Sequence, residues 1–368
     1  MPSDDAGRPL VWLLMGHRAG DNEQVLALAE ALGWPFETRH FVYRPCEFLT
    51  NRLLGATLAG IDRARSSALG PPWPDLVISA GRRNEPVARW IRARAGKPVR
   101  LVHLGRPWAD PRRFDLVVTT PQYRVPALPG VMEIEAPLHR VSPARLAAAA
   151  ARWQPLFEPL PRPRIAVLVG GDSPPYRFDT VLARELAGKA SALARRRGGS
   201  VLVTTSKRTR REAAAALRQA IDVPCYFYDW TPEADSNPYL GILAAADAIV
   251  VTGETMSMLA EACATGKPVY IFDLGRGWTA MRPGPAGRPA PPLAERLRPR
   301  AVAHWTTAHL LPARVRRDVR VILRRFVASG RAAWLGDDAP PAAAPVAADD
   351  LARVVRRVRE LVGTGPAG

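Results

Sequence analysis

The chain has 368 residues, 47% of them hydrophobic, so it is long enough for two globular domains with apolar cores. No run of about 18 apolar residues occurs, which excludes a membrane-spanning helix. The polar start, followed by the short run LVWLLM, does not fit a signal peptide either. These features predict a cytoplasmic protein.

The formal net charge is +18, and arginine supplies nearly all of the excess. A compositional bias towards arginine and alanine explains this excess without any function. If the charge is functional, it indicates an anionic partner. The arginines are spread along the chain without the interleaved aromatic residues of a nucleic-acid module. We therefore expect no nucleic acid, and favour phosphorylated small molecules or peripheral contact with an anionic inner membrane.

The cysteines, Cys46, Cys225 and Cys263, are odd in number and far apart in the sequence. Their spacing fits neither a disulfide framework nor a zinc site. Cys225 and Cys263 lie in apolar runs, where a cysteine behaves as a small buried hydrophobic residue.

Short apolar runs alternate with helical patterns through the first half of the chain. The predicted elements are strands at 10–15, 38–43, 75–80, 99–105, 115–120 and 131–136, and helices at 22–32, 46–64 and 84–95. This alternation indicates βαβ units and a parallel sheet. The alanine-rich segment at 143–153 and the proline-rich segment EPLPRPR at 158–164 then interrupt the pattern and predict a linker between domains.

The alternation restarts after that linker. The predicted elements are strands at 164–171, 200–206, 224–229, 247–253 and 267–274, and helices at 179–197, 209–220, 238–246 and 255–265. Two basic helices, at 313–329 and 348–362, follow an irregular segment. We therefore predict domains at 1–157 and 158–335, with a low-complexity linker and a terminal basic helix at 336–368.

The first loop of the second domain, in LVGGDS, follows a strand, where ligands of open α/β sheets bind. Gly170 and Gly171 let the backbone approach a ligand, and Asp172 follows them. A plain strand-ending turn explains this stretch equally well, and the ending of a Walker loop is absent.

The next loop, in TTSKRT, carries hydroxyl and cationic side chains just before a predicted helix. Ser206, Lys207 and Arg208 therefore suit a phosphate group. The alternative is that Ser206 or Thr209 caps the helix and that the charges are solvated.

The stretch TGETMSMLAEACATGKP places four residues on one predicted helix face, namely Glu254, Ser257, Met258 and Glu261. Ser257 and Glu261 are polar on a stripe that is expected to be buried, so they need a partner or a ligand. A carboxylate one or two turns into such a helix can accept hydrogen bonds from both hydroxyls of a ribose.

In the first domain, the loop GHRAGDNEQ, which includes Gly16 and Gly20, resembles a phosphate cradle when taken alone. Arg82 and Arg83 in SAGRRNEP, and Arg106 in LGRPW, also follow strands. These arginines are suited to bind an anionic ligand, and Arg82 and Arg83 could instead pair with Glu254. The alternative is that they are ordinary surface charges.

The segment SMLAEACATGKPVYIFDL resembles the nucleotide-sugar site of GT-B glycosyltransferases, in which a helix glutamate five residues before Gly-x-Pro holds the ribose of UDP. Glu261, Gly266 and Pro268 keep that spacing. The ordered motifs GHRAGDNEQ, SAGRR, LVGGDS, TTSKRT, NPY and TGETMSMLAEA…TGKPVYI resemble the mitochondrial fission (elongated mitochondria) family, from residue 10 to about 280. Bacterial members of that family are described as glycosyltransferases, one branch acting on the lipopolysaccharide outer core.

The resemblance implies an α/β protein of GT-B fold, with two Rossmann-like domains facing a cleft and helices at the C-terminus. It implies a nucleotide-sugar donor, UDP-linked, bound by the second domain, and a cell-envelope glycan or lipid acceptor near the first. The donor residues would be Gly170, Gly171, Asp172, Ser206, Lys207, Arg208, Glu254, Ser257, Met258 and Glu261. The acceptor residues would be Gly16, Gly20, Arg82, Arg83 and Arg106.

Transfer by a GT-B enzyme needs neutralisation of the leaving diphosphate and a base for the acceptor hydroxyl. The resemblance implies transfer without a metal or another cofactor, because GT-B enzymes generally use cations and helix N-termini instead, and the absence of an Asp-x-Asp motif agrees with this expectation. Asp21 and His17 are the candidates for the base, and the alternative for Asp21 is the N-cap of the helix at 22–32. A non-catalytic scaffold at a membrane surface, as the plant relatives suggest, and a GT-B sugar-nucleotide epimerase are the other two hypotheses.

Overall fold

The alternating apolar runs and helical patterns form two α/β units in the computed structural model, which describes residues 8–44, 55–232, 237–282, 317–337 and 349–363. Unit 1 comprises Met1–Arg140, Pro312–Arg316 and Ala347–Gly368. Unit 2 comprises Val141–Leu311 and Arg317–Val346. The predicted class, α/β with two Rossmann-like domains and C-terminal helices, is confirmed.

Within its described residues, unit 1 contains a six-stranded parallel sheet in the order β2-β1-β3-β4-β5-β6. The strands are β1 (Val11–Met15), β2 (Phe36–His40), β3 (Leu76–Ala80), β4 (Arg100–Leu104), β5 (Leu116–Thr119) and β6 (Val131–Glu133). Every side chain of β1 and β3 is buried, as expected for a parallel sheet covered on both faces.

The two faces of this sheet are covered by different helices, namely α1 (Ala19–Leu32), α2 (Glu85–Arg94) and, from the C-terminal part of the chain, α9 (Asp349–Gly363). Successive residues of a strand point to opposite faces. Leu13 therefore packs in the cluster that contains residues of α1 and α9, whereas Trp12 and Leu14 pack in the cluster that contains residues of α2.

Unit 2 contains, within the described ranges, a second six-stranded parallel sheet in the order β12-β11-β10-β7-β8-β9. Its strands are β7 (Arg164–Leu168), β8 (Ser200–Thr204), β9 (Cys225–Tyr228), β10 (Ala248–Thr252), β11 (Val269–Phe272) and β12 (Ala333–Trp334). Its helices are α3 (Pro143–Phe157), α4 (Thr180–Arg195), α5 (Arg211–Ala220), α6 (Tyr239–Ala245), α7 (Met256–Cys263) and α8 (Val319–Ala328).

Each sheet has a point at which the chain reverses its direction of winding. In unit 1 the chain goes from β1 outward to β2 and returns to β3 on the other side of β1. In unit 2 it goes from β7 to β8 and β9 and returns to β10 on the other side of β7. Loops diverge at such a switch point and leave a crevice at the carboxyl ends of the strands, where ligands of open α/β sheets bind.

Three local predictions are wrong. The predicted helix at 46–64 is not helical over 55–64, because Tyr43 and Ile61 form an antiparallel bridge there, and 45–54 lie outside the described residues. The helix predicted from residue 22 begins at Ala19, because the Asn22 amide already donates to the Arg18 carbonyl. Cys263 is buried as predicted, but Cys225 is exposed on the edge strand β9.

The division into units also differs from the predicted boundary after residue 157. Helix α3 belongs to unit 2, where it packs extensively against α6. Helix α9 belongs to unit 1, where the side chains of Val354 and Val358 are buried in the same cluster as residues of α1. Among the described helices, none has both the length and the apolar character needed to cross a bilayer.

The contact of α9 with α1 predicts a measurable loss of stability when its buried face is truncated. Val358→Ala should lower the free energy of unfolding of unit 1 by about 2 kcal/mol, because a cavity replaces buried methyl groups. Arg356→Ala, on the exposed side of the same helix, should change it by less than about 0.5 kcal/mol. Calorimetric unfolding of both variants measures the difference, and equal effects would contradict the packing of this helix.

Candidate functional site

The loop after β7 lies at the switch point of unit 2 and carries the two glycines selected from the sequence. The Gly170 amide donates to the Thr252 hydroxyl at 2.9 Å, and the Gly170 carbonyl accepts a hydrogen bond from the Ser206 hydroxyl. Gly171 has φ +100° and forms a β-bridge with Arg208. The loops after β7, β8 and β10 are therefore tied together at one edge of the sheet.

Both glycines are required by close contacts. A Cβ atom at Gly170 would overlap the carboxylate of Glu254 and would lie 2.8 Å from the guanidinium of Arg208. A Cβ atom at Gly171 would lie 2.6 Å from the amide nitrogen of Thr209. A side chain is therefore excluded at either position, and bare backbone forms this part of the site.

The loop after β8 leads to helix α5, but neither Ser206 nor Thr209 caps that helix. Helix α5 begins at Arg211, and its N-cap is Arg210, so the capping alternative for Ser206 and Thr209 is wrong. The Thr209 hydroxyl instead accepts a hydrogen bond from the Ser206 amide at 3.0 Å. Lys207 is exposed. Ser206 therefore holds the glycine loop in place, and the cations beside it remain at the surface.

The carboxylate of Asp172 is bonded to protein donors within this loop. Its Oδ1 accepts a hydrogen bond from the Phe178 amide at 2.9 Å, and its Oδ2 accepts one from Arg210 Nε at 2.7 Å. The Asp172 backbone also exchanges hydrogen bonds with Arg208, whose Nη1 donates to the Asp172 carbonyl at 3.3 Å. Asp172 thus joins the two loops and is a structural element of the site.

Helix α7 begins at Met256, with Thr255 as an N-cap whose side chain makes no capping hydrogen bond. Glu254 therefore precedes the helix, and the prediction that it lies on a helix face with Ser257, Met258 and Glu261 is wrong for Glu254. Ser257 and Met258 are half-buried in the first turn. The first amides of a helix point beyond its N-terminus and attract anions.

The side chain of Glu254 is fully buried beside the glycine loop. Its Oε1 accepts a hydrogen bond from the Thr252 hydroxyl at 3.2 Å and lies 3.7 Å from Arg208 Nη2. Its Oε2 has no hydrogen-bond partner within the described residues. Burial raises the pKa of Glu254, and the nearby Arg208 guanidinium opposes that rise. Glu254 is thus paired with an arginine of its own unit.

Glu261 meets the Asn-Pro-Tyr motif, which is distant from it in the sequence. The Tyr239 hydroxyl donates a hydrogen bond to the Glu261 carboxylate. The Tyr239 amide in turn donates to the Asn237 side chain at 3.0 Å, which fixes the start of α6. Glu261, which matches in sequence the glutamate that binds the ribose in GT-B enzymes, is therefore held in position by a tyrosine.

Lys267 of the Gly-Lys-Pro segment fastens the other end of α6. Its ammonium group donates to the carbonyls of Leu243 and Ala244 at 2.7 and 2.6 Å. Burial lowers the pKa of Lys267 to about 8. The segment that follows Glu261 therefore has a structural role, because it anchors the helix that carries Tyr239.

Arg317 also contacts this site, although it was not predicted from the sequence as a site residue. Its guanidinium donates to the Ser173 hydroxyl at 3.2 Å and to the Glu254 carbonyl at 3.3 Å. It lies in an arginine-rich part of the chain without a recognisable motif, so no local signal distinguishes it from its neighbours. Together with Arg208 and Arg210, it places a third cation around the glycine loop.

In unit 1, the loop after β1 leads directly into a helix. Gly20 and Asp21 lie in the first turn of α1, so Asp21 is not the N-cap and that alternative is wrong. The Asp21 carboxylate lies against Gly81, where a Cβ atom would be 2.6 Å from its Oδ2. Gly16 exchanges two hydrogen bonds with the Asn22 side chain, at 2.8 and 2.9 Å. Asp21 therefore stands at the switch point between β1 and β3.

Asn84 connects strands β1 and β3, and this role was not predicted from the sequence either. Its amide group donates to the carbonyls of Leu14 and Ala80, at 2.8 and 3.1 Å, and its oxygen accepts a hydrogen bond from the Tyr43 hydroxyl. The Tyr43 ring stands edge-on to His17, with centroids 5.7 Å apart. A lone asparagine in a loop gives no sequence signal of this role.

The arginines of unit 1 lie over aromatic rings. The Arg82 and Arg106 guanidinium carbons are 5.2 and 5.6 Å from the centroid of Trp108, and that of Arg83 is 5.2 Å from the centroid of Tyr43. Such stacking restricts a guanidinium and keeps its charge. The predicted acceptor residues at the ends of β3 and β4 thus form a row of cations and rings at one edge of the sheet.

In the part of the chain that the structure describes, no group of three or more His, Cys, Asp or Glu side chains is placed to hold a metal ion. The two carboxylates nearest the glycine loop, Asp172 and Glu254, pair with arginines. Arginines, backbone amides and a helix N-terminus are the groups that bind phosphates in proteins. The site of unit 2 is therefore suited to a di-anionic ligand.

Comparison with known proteins identifies relatives of this chain. The model of a family described as mitochondrial fission ELM1 matches residues 19–310. The mitochondrial fission protein ELM1 of Arabidopsis thaliana is 30% identical over 241 residues, which are 60% of this chain and 56% of that protein. The match thus spans little more than half of the plant protein.

Two bacterial proteins extend the comparison. An uncharacterized protein of Rickettsia prowazekii is 23% identical over 295 residues, covering 71% of this chain and 82% of that protein. The crystal structure of a glycosyltransferase from Rickettsia africae is 10% identical, covers 88% of this chain and 98% of its own, and has a TM-score of 0.41.

The overlap of Gly170 with Glu254 predicts a specific loss of stability. Gly170→Ala should destabilise unit 2 by about 1–3 kcal/mol, because its Cβ displaces a buried carboxylate. Gly188→Ala is the control, since nothing lies within 4 Å of a Cβ there and alanine in a helix is about 0.5–1 kcal/mol more stable than glycine. Calorimetry measures both variants.

A double-mutant cycle tests the same contact directly. If the clash is with Glu254, Gly170→Ala should cost less in a Glu254→Ala background, by about 1 kcal/mol or more. Additive effects would show that the two residues do not meet.

Proposed function

We propose, from the premise that the chain belongs to the mitochondrial fission ELM1 family, that it is a GT-B glycosyltransferase. It moves a sugar from a nucleotide-sugar donor, UDP-linked, to a glycan or lipid acceptor of the cell envelope, without a metal or another cofactor. Unit 2 binds the donor and unit 1 binds the acceptor. The protein acts in the cytoplasm, with peripheral contact at an anionic inner membrane, for which the net charge of +18 provides attraction.

One observation carries this proposal: at the switch point of unit 2, a side-chain-free glycine loop adjoins the N-terminus of α7 and Arg208. A Cβ atom at Gly170 would lie 2.8 Å from both Arg208 Nη2 and Thr255 Cβ, so the three elements share one small region. Backbone amides, a helix N-terminus and a guanidinium are complementary to a diphosphate. They also neutralise the charge that develops on it as it leaves.

The ribose of the donor is assigned to Glu261. A carboxylate at this place in α7 can accept hydrogen bonds from two vicinal hydroxyls, and the hydrogen bond from Tyr239 fixes its orientation. Ser257 and Met258, in the turn before it, are half-buried and contribute amides towards the nucleotide. The donor thus extends from the glycine loop along the first turns of α7.

The acceptor is assigned to the edge of unit 1 that carries Arg82, Arg83 and Arg106. Three stacked guanidinium groups favour an acceptor with phosphate or carboxylate groups, as envelope glycans and lipids often have. Asp21 and His17 stand at the same switch point. Asp21 takes the proton of the acceptor hydroxyl while the acceptor oxygen forms its bond to the sugar and the nucleotide diphosphate departs. His17 helps to orient the loop.

A second candidate function is compatible with the name of the Arabidopsis relative, which describes a mitochondrial fission protein and names no transfer reaction. In this second function, the chain is a non-catalytic scaffold that recruits a partner at an anionic membrane surface. It uses the same fold but transfers no sugar. The two candidates differ in nucleotide binding, and this difference is the basis of the first experiment.

A panel of UDP- and GDP-linked sugars should raise the melting temperature of the protein. At a concentration of about 100 Kd the stabilisation is about 2.7 kcal/mol, which corresponds to several degrees. Glu261→Ala should remove the shift, whereas Glu212→Ala, an exposed carboxylate of α5, should keep it. If no nucleotide sugar shifts the wild type and it binds anionic liposomes in a salt-sensitive manner, the scaffold is the correct function.

Asp21→Asn should abolish transfer and leave donor binding intact, because it removes the base and no part of the donor site. The measurement is release of nucleotide diphosphate in a coupled assay with an acceptor extract, together with the thermal shift by the donor. Glu23→Gln is the control, since this neighbouring carboxylate of α1 binds Arg140. Transfer that survives Asp21→Asn would assign the aspartate a structural role.

A further inference from the structure

The carboxyl group of Glu254 is buried, which is unusual for an acidic side chain. Its side chain is fully buried, whereas its ionic partner Arg208 is 41% exposed. The contact is an ion pair of 3.7 Å without a hydrogen bond, and Glu254 Oε2 has no hydrogen-bond partner in the described ranges. A buried carboxylate with one unpaired oxygen is costly unless charge is supplied nearby.

Few groups stabilise the ionised form of Glu254. From β10, the Thr252 hydroxyl donates to Oε1. From the loop after β8, Arg208 supplies the facing positive charge. Arg317, two residues before α8, binds the Glu254 carbonyl and acts from further away. The Glu254 backbone amide adds a further favourable contact. Arg208 is therefore the main counter-ion, and it is also the group placed towards solvent.

The other carboxylate of the loop differs in this respect. The Asp172 carboxylate accepts hydrogen bonds from the Phe178 amide and from Arg210, so it keeps both partners if the Arg208 guanidinium moves. The Glu254 carboxylate also lies against the Gly170 backbone, since a Cβ atom at Gly170 would overlap its Oε1. If Arg208 moves to another anion, the buried Glu254 carboxylate loses its main counter-ion.

We propose that diphosphate binding at the glycine loop is coupled to protonation of Glu254. Arg208 transfers its ionic contact from Glu254 to the two phosphates, and Glu254 takes one proton from solvent. Glu254 is then a positioning residue, which holds Arg208 beside the loop in the empty site and releases it as a neutral acid when the donor arrives. This inference rests on the proposed donor site in unit 2.

The direction of the coupling follows from the sign of each charge. When Arg208 moves to the ligand, burial becomes the dominant influence on the pKa of Glu254, and burial raises that pKa. Protons are therefore taken up on binding wherever the solution pH lies between the pKa values of the empty and the occupied site. Donor affinity should accordingly rise as the pH falls through that interval.

Isothermal titration calorimetry with UDP-glucose and with UDP-N-acetylglucosamine tests this coupling, because their diphosphates carry no proton that titrates near neutral pH. The observed enthalpy is measured in buffers of different ionisation enthalpy, from about pH 5.5 to about pH 8.5. The wild type should take up a fraction of a proton, at most about one per site, at some pH in this range.

Two variants identify the acid. Glu254→Gln should bind the same probe with at least the wild-type affinity and without proton uptake, because its neutral amide does not compete for Arg208. Glu212→Gln, an exposed carboxylate beside Arg210, should keep the wild-type uptake. Uptake that persists in Glu254→Gln would assign the proton to another group and overturn the inference.

The remaining outcomes separate this inference from the proposed function. Binding of either probe without proton uptake at any pH would overturn the coupling and leave the donor site in place. If neither these probes nor other nucleotide sugars bind, the proposed function is overturned, and the coupling with it.

Discussion

The Glu254 carboxylate occupies the space that a side chain at Gly170 would need, and the geometry of the unit 2 site depends on this contact. Because a buried carboxylate needs a counter-ion, Arg208 lies beside it. The Arg208 backbone in turn lies so close to Gly171 that only glycine fits there. The glycine pair, the acid and the arginine are therefore one arrangement, in which each residue determines the others.

Unit 1 has a similar contact with a different outcome. The Asp21 carboxylate lies against Gly81 at the other switch point, but its side chain is only half-buried. A half-buried carboxylate is accessible to a substrate hydroxyl, whereas the Glu254 carboxylate is enclosed. This difference in exposure supports the proposed roles, which are proton transfer with the acceptor for Asp21 and control of the Arg208 charge for Glu254. The two acids, each at the switch point of its own sheet, thus differ in exposure, and their proposed roles differ accordingly.

The strands and the glycine loops were predictable because local sequence determines them. Strand β7 is an apolar run that ends in Gly170-Gly171, and this pattern needs no knowledge of distant residues. Roles that depend on tertiary contacts were not predictable. Arg317 and Asn84 act through backbone carbonyls that the fold brings to them. Glu254 and Glu261 are both buried, but the fold gives Arg208 to the first as a partner and Tyr239 to the second. The start of α1 was not predictable because its N-cap is Arg18, a residue type that rarely caps a helix.

The net charge of +18 does not itself indicate where an anion binds, since many arginines are engaged in the fold. Arg140 bridges Glu23 and Glu30 within unit 1, and Arg164 donates to backbone carbonyls within unit 2. The remaining charge attracts anions only over about 8 Å at physiological salt, and does so without selectivity. Selectivity requires cations that are held in place yet accessible. Arg208 meets both conditions, because a buried acid fixes it from one side and solvent reaches it from the other.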